Sequence, residues 1–148
     1  MLSDTKSIRL SSILLKIAFV GVIAAAFFVP AIVEWYYPGF DRRSIEFLLM
    51  VASMYMLLAC GLFIVIKMHM LLKNIEKNEV FVEANVNHLK IISYLCFAAS
   101  GAFAVMGIVR PFGFVMTAAV AFLGLILRIV RYVIAKAVEL REENDTVI

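Results

Sequence analysis

Residues 62–92 read LFIVIKMHMLLKNIEKNEVFVEANVNHLKII and contain the longest polar interruption between the apolar segments of the chain. The stretch leaves one apolar segment at Lys67, crosses a polar region and enters another apolar segment at about Ile91. Of the 148 residues, 64% are hydrophobic and 17% are charged, whereas soluble domains average about 45–50% apolar and about 25% charged residues. The composition therefore predicts a small membrane protein of a single domain.

Four apolar segments are long enough to cross about 30 Å of hydrocarbon at about 1.5 Å per residue. We predict an all-α integral membrane fold, a four-helix antiparallel bundle with helices over residues 13–33, 45–66, 91–109 and 112–133. A cleavable signal peptide is the competing interpretation of the first segment, because basic residues precede it and small alanines lie within it. Its uncharged core, residues 17–33, exceeds the usual h-region of about 7–15 residues, so we expect an uncleaved helix.

The distribution of lysine and arginine predicts the orientation. Eleven of these residues fall at the amino end, in residues 67–90 or at the carboxyl end, and three fall on the opposite side: Arg42, Arg43 and Arg110. The positive-inside rule therefore places both termini and the central stretch in the cytoplasm, as expected of a multi-pass plasma-membrane protein. Residues 134–148 form a predicted cytoplasmic tail, whose charged part, residues 139–148, is expected to fray.

The central stretch, residues 67–90, has the periodicity of two short helices. One helical face is formed by four apolar residues at i, i+3, i+4 and i+7: Met68, Leu71, Leu72 and Ile75. Asn78 is a predicted helix end because Asn tolerates the left-handed conformation, and Glu83 is a predicted start because an acid suits the positive helix end. The result is a cytoplasmic helical hairpin whose tip we expect Phe81 to plug.

Two interpretations of this hairpin remain open. It either closes on itself and only joins two membrane helices, or part of its apolar or charged face docks a cytoplasmic partner. In the second case the candidate contact residues are Lys73, Glu76, Lys77, Phe81, Glu83 and Asn85. His69 and His88 flank the hairpin without the spacing of a metal motif, so we expect interfacial histidines and no metal site.

The sequence offers no recognisable catalytic chemistry. It contains no phosphate-binding loop, dinucleotide fingerprint or HExxH motif, and the predicted spans hold no Asp or Glu at mid-depth for a proton relay. We therefore expect no enzymatic activity, no cofactor and no direct nucleic-acid binding. Cys60 and Cys96 are predicted at similar depths on adjacent helices, as buried hydrophobes or as a redox-sensing pair.

Small residues recur at three- or four-residue spacing and allow helices to approach closely in lipid. Packing within one bundle is favoured over a homo-oligomer seam for these pairs: Gly21 and Ala25, Ala98 and Ala102, Gly113 and Thr117, Ala121 and Gly124.

A family resemblance falls on the hairpin and the tail. The segments LLKNIEKNEVF (71–81), NVNHLK (85–90), LGLILRIV (123–130) and AVELREENDTVI (137–148) resemble bacterial membrane proteins grouped as domain of unknown function 2975. The resemblance covers nearly the whole chain and implies four membrane helices without an established activity. Relatives usually carry Ser or Thr near Val82, which cannot cap a helix through its side chain, so the second hairpin helix should start more softly here.

Members of that family are often encoded beside a small helix-turn-helix regulator of the Xre type, which implies a cytoplasmic DNA-binding partner. The leading hypothesis is a membrane protein that tethers or regulates such a partner through the hairpin and tail. The alternative is a small transport, resistance or peptide-immunity protein, possibly oligomeric, that uses the outer face at residues 35–40 or Arg110. A third is a purely structural subunit of a larger membrane complex.

Overall fold

A computed structural model describes residues 2–36, 39 and 44–146, with side chains from residue 5 onward. Within these ranges the chain forms five helices and no strand: α1 (Leu2–Phe27), α2 (Val29–Tyr36), α3 (Ile45–Glu76), α4 (Glu83–Val109) and α5 (Phe112–Thr146). All of these except α2 are long and apolar enough to cross a membrane, which confirms the all-α class and the four apolar helices. Arg42 and Arg43, together with residues 37, 38, 40 and 41, lie outside the described residues.

The first predicted helix is interrupted at Phe28, where α1 ends and α2 begins. Pro30 explains the break, because proline has no backbone N–H and its ring clashes with the carbonyl group one turn earlier in a continuous helix. The short α2 then folds onto α3, where Val29 and Val33 are buried against Phe47 and Met50. A single helix over residues 13–33 is therefore wrong, although the proline signal was present in the sequence.

Residues 139–146 are helical instead of frayed as expected, since α5 continues to Thr146, and residues 147 and 148 lie outside the described residues. The last turns of α5 contain mainly Ala, Leu, Glu and Arg, which have high helix propensity. An exposed ion pair between Lys136 and Glu139 at 3.7 Å adds at most about 0.5 kcal/mol. The Thr146 hydroxyl donates a hydrogen bond to the Glu143 carbonyl oxygen at 2.8 Å.

The long helices pack in chain order as an open row. The most extensive interface joins α4 to α5, the next joins α3 to α4, and α1 rests on α3. In the described part of the chain, α1 and α5 share no extensive interface, so the bundle does not close. Arg9 of α1 and Glu76 of α3 line one cavity, so the start of α1 lies beside the turn between α3 and α4, which we call the hairpin end.

Helices α4 and α5 approach closely at glycines. Only Arg110 and Pro111 separate them, and a Cβ added at Gly113 would meet the backbone of Gly107 and, at 2.7 Å, the carbonyl oxygen of Phe103. Farther along, Gly124 packs on Cys96 and Phe97, and its carbonyl oxygen accepts a hydrogen bond from the Ser93 hydroxyl at 2.9 Å. The expected packing role is thus confirmed at Gly113 and Gly124, whereas Gly21 is exposed with open space around it.

Replacing Gly113 with alanine should destabilise the protein, because the new methyl group meets backbone atoms that cannot rotate away. Overpacking of this kind costs about 1–3 kcal/mol. Unfolding of the purified protein in detergent, followed by circular dichroism, measures the loss. Gly101→Ala is the matched control, since a Cβ there meets nothing within 4 Å. Equal stability of the two variants would contradict the close approach.

Candidate functional site

The hairpin turn begins with a hydrogen-bonded stop of α3. Asn78 has a left-handed backbone with φ 62°, its N–H bonds the Ile75 carbonyl oxygen at 3.0 Å, and the Glu79 N–H bonds the Asn74 carbonyl oxygen at 2.9 Å. These two bonds form a Schellman motif, which satisfies carbonyl groups that a helix end leaves without partners. The prediction of a stop at Asn78 is confirmed.

Helix α4 begins at Glu83 without a side-chain cap, as predicted. Val82 has an extended backbone at the cap position, with φ −125° and ψ 152°, and makes no capping hydrogen bond through its side chain. Its carbonyl oxygen accepts the N–H of Asn85 at 3.1 Å. The acidic side chain of Glu83 lies in the first turn, where it interacts favourably with the helix dipole.

The side chain of Asn85 holds the turn together. It is 1% exposed, and its Oδ1 accepts a hydrogen bond from Nδ2 of Asn74 at 2.8 Å. Its own Nδ2 donates to the carbonyl oxygens of Glu79 at 2.9 Å and Val80 at 2.8 Å. One amide therefore joins the end of α3, the loop and the start of α4, and we call these contacts the Asn85 lock.

Two sequence expectations need correction here. Asn85 is not a surface contact, because its amide is buried and hydrogen-bonded inside the turn. Phe81 does not plug the tip: its side chain is 48% exposed, because the Asn85 amide occupies the interior of the turn. The signal that could have revealed the lock is a pair of asparagines, Asn74 and Asn85, on the two helical segments that face each other across the turn.

The remaining candidate contact residues are all exposed. They form what we call the tip surface: Lys73, Glu76, Lys77, Phe81 and Glu83. The structure thus presents an aromatic ring and charges of both signs on a segment held from inside by the Asn85 lock.

A cleft between α1 and α3 extends from the hairpin end along the two helices. It consists of three adjoining cavities of about 460, 360 and 400 Å³, and Lys16 lines all of them. His69 and Lys73 line the first two, and Glu76 lines the second and third. We call this feature the α1–α3 cleft, and it was not predicted.

The histidines occupy different surroundings. His69 lies in the α1–α3 cleft, whereas Nδ1 of His88 is buried without a hydrogen-bond partner. Within the described ranges no group of three His, Cys, Asp or Glu side chains could hold a metal ion. Cys60 and Cys96 are buried free thiols.

An apolar pocket of about 290 Å³ lies at the end opposite the hairpin. Its walls come from α2, α3, α4 and α5 and include Trp35, Tyr36, Met50, Met106 and Arg110. Three of the residues singled out for the alternative function line the pocket, Trp35, Tyr36 and Arg110, whereas residues 37, 38 and 40 lie outside the described part of the chain.

Comparison with known families supports the resemblance noted above. The family model described as "Protein of unknown function (DUF2975)" matches residues 20–148. The chain belongs to the DUF2975 family. Neither the curated proteins nor the solved structures contain a match. The matched region of this DUF2975 protein includes the whole hairpin and begins within α1, after Lys16.

Replacing Asn85 with aspartate should loosen the turn. The new carboxylate has the shape of the amide, but its oxygen cannot donate to the Glu79 and Val80 carbonyl oxygens, which lose their partner. A buried acceptor left unsatisfied costs about 1–3 kcal/mol. Hydrogen exchange of residues 77–86 should accelerate. Asn87→Asp is the matched control, because Asn87 is exposed on the same helix, and equal exchange in both variants would contradict the Asn85 lock.

Proposed function

We propose that this DUF2975 protein is a non-catalytic, multi-pass protein of the bacterial plasma membrane that tethers or regulates a cytoplasmic partner through the tip surface. The observation that carries the proposal is the combination at the hairpin end of a locked turn and an exposed aromatic ring. A loop that only joins two membrane helices needs neither feature.

The Asn85 lock favours binding by reducing the conformational freedom that a partner must remove. Ordering side chains and loops at an interface costs about 0.5–1.5 kcal/mol for each immobilised side chain, and a turn already held by three side-chain hydrogen bonds avoids part of this cost. Exposed aromatic residues are frequent anchors of protein interfaces. Phe81 fits that role, and the flanking charges of Lys77 and Glu83 would set the orientation of the partner.

The carboxyl-terminal end of α5 offers a second contact. Residues 139–146 remain helical and exposed, so about 12 Å of charged helix is available beyond the last apolar segment. Its sequence, ELREENDT, carries Arg141 among four acidic residues. The proposed partner is a DNA-binding regulator of the helix-turn-helix type, because members of the family that the sequence resembles are often encoded beside such a regulator.

The proposal requires the hairpin end to face the cytoplasm. Cysteines introduced at Asn78 and at Asn144 should therefore resist membrane-impermeant maleimide in intact cells and react once the cells are opened. A cysteine introduced at Ile108, which is exposed near the opposite end of α4, is the control and should react in intact cells. Labelling of Asn78→Cys in intact cells would contradict the orientation.

Truncating Phe81 should release the partner. Loss of an interface anchor costs about 2 kcal/mol or more, which corresponds to a decrease in affinity of about 30-fold. We expect Phe81→Ala and Lys77→Glu to reduce the recovery of cytoplasmic proteins cross-linked to the tagged full-length chain in membranes.

Matched controls separate this effect from general damage. Phe122→Ala removes an exposed ring from α5, and Lys6→Glu reverses an exposed charge in the first turns of α1. Both should retain the wild-type set of cross-linked proteins. If the tip variants also retain that set, the tip surface does not carry the interaction.

The second candidate function, transport or peptide immunity, is favoured by the pocket at the end opposite the hairpin. Trp35 and Tyr36 there provide aromatic surface for a peptide or an amphiphilic compound, beside Arg110. The helices form an open row and the pocket walls are mainly apolar, so a polar path across the membrane would need several copies of the chain.

A further inference from the structure

We propose that the α1–α3 cleft is a binding site for an anionic phospholipid, with the phosphate headgroup held by Lys16, His69 and Lys73. This inference does not depend on the partner proposed above. It rests on the shape of the cleft, on the order of polar and apolar residues along it and on its charge.

The cleft changes from polar to apolar along its length. The cavity nearest the amino end of α1 has mainly polar lining residues, Thr5, Arg9 and Ser12 among them. In the cavity farthest from it, the lining beyond Lys16, His69 and Lys73 is entirely apolar and includes Phe19 and Val20. Lys16 borders all three cavities, so it lies where the polar part meets the apolar part. A phospholipid has the same order, with a charged headgroup followed by acyl chains.

The charge of the cleft selects an anion. Its lining residues include three cations, Arg9, Lys16 and Lys73, and one carboxylate, Glu76. Within the described residues neither Lys16 nor Lys73 makes a salt bridge, so their charges are available to a phosphate. Basic pockets between membrane helices are a known type of anionic lipid site.

The apolar wall distinguishes a lipid from a soluble anion. Phe19 and Val20 of α1 lie across the cleft from Val65, Ile66 and Met70 of α3. A free phosphate would leave this part of the cavity empty, whereas an acyl chain would fill it. Among the long helices in the described part of the chain, only α3 has an extensive interface with α1, so the cleft is open to the surrounding lipid.

The test uses the full-length protein in phosphatidylcholine vesicles that contain a minor fraction of brominated phosphatidylglycerol. Trp35 is the only tryptophan, so Trp35→Phe with Phe19→Trp places a single fluorescent reporter on the apolar wall. Brominated phosphatidylglycerol should quench it more strongly than brominated phosphatidylcholine at the same mole fraction. Each basic side chain contributes about fivefold to anionic lipid affinity, so Lys16→Gln with Lys73→Gln should lower the preference by about 25-fold.

Three comparisons make the result decisive. Lys16→Arg with Lys73→Arg keeps the charge and should keep the preference, which separates lost binding from misfolding. Lys6→Gln with Lys136→Gln removes two exposed charges outside the cleft and should leave the preference for phosphatidylglycerol unchanged. If this pair lowers the preference as much as the cleft pair does, the attraction is a general surface effect and the proposal is overturned. Displacement of the lipid by excess inorganic phosphate would identify a soluble-anion site and also overturn it.

Native mass spectrometry provides a second measurement without the fluorescent substitutions. The unmodified chain, released from mixed micelles of phosphatidylglycerol and phosphatidylcholine, should retain phosphatidylglycerol, and the Lys16→Gln and Lys73→Gln double variant should not. Equal retention by both chains would contradict the proposed site.

Discussion

Close approach of α4 and α5 is the contact on which the arrangement of the helices depends. In hydrocarbon a helix satisfies its own backbone hydrogen bonds and gains little from exchanging lipid for another apolar surface. Packing then depends on how closely two backbones can meet. Gly107 and Gly113 allow that approach beside a two-residue connection, and the bond from Ser93 to Gly124 extends the contact along the helices. Helix α4 thereby packs against both α3 and α5.

Helix α1 lies at the edge of the row because it lacks such a close backbone approach. A Cβ added at Gly21 of α1 would meet nothing within 4 Å. Many long apolar side chains of α1 are exposed, including Val20 at 65%. Lys16 and Lys73 lie in the α1–α3 cleft, where the proposed lipid headgroup would supply the counter-charge.

The turn between α3 and α4 lies beyond the apolar segments, and it is held by side-chain hydrogen bonds instead of close backbone packing. A buried polar group must find hydrogen-bond partners, and the Asn85 amide finds three inside the turn. Once the amide occupies the interior, the phenyl ring of Phe81 is left on the outside. A polar side chain, not the expected apolar one, therefore fills the turn, and the aromatic ring is exposed.

Local signals in the sequence were sufficient for the number of apolar helices, the stop at Asn78, the start at Glu83 and the packing role of Gly113 and Gly124. Each depends on a residue and its immediate neighbours. Pro30 and the helix-forming residues near the end of α5 were also local signals, but their effects were underestimated. The open order of the helices, the α1–α3 cleft and the inward position of Asn85 were decided only by the tertiary structure. A helix that is apolar on every side carries no pattern that marks its partner, and an asparagine does not reveal whether its amide bonds water or a turn.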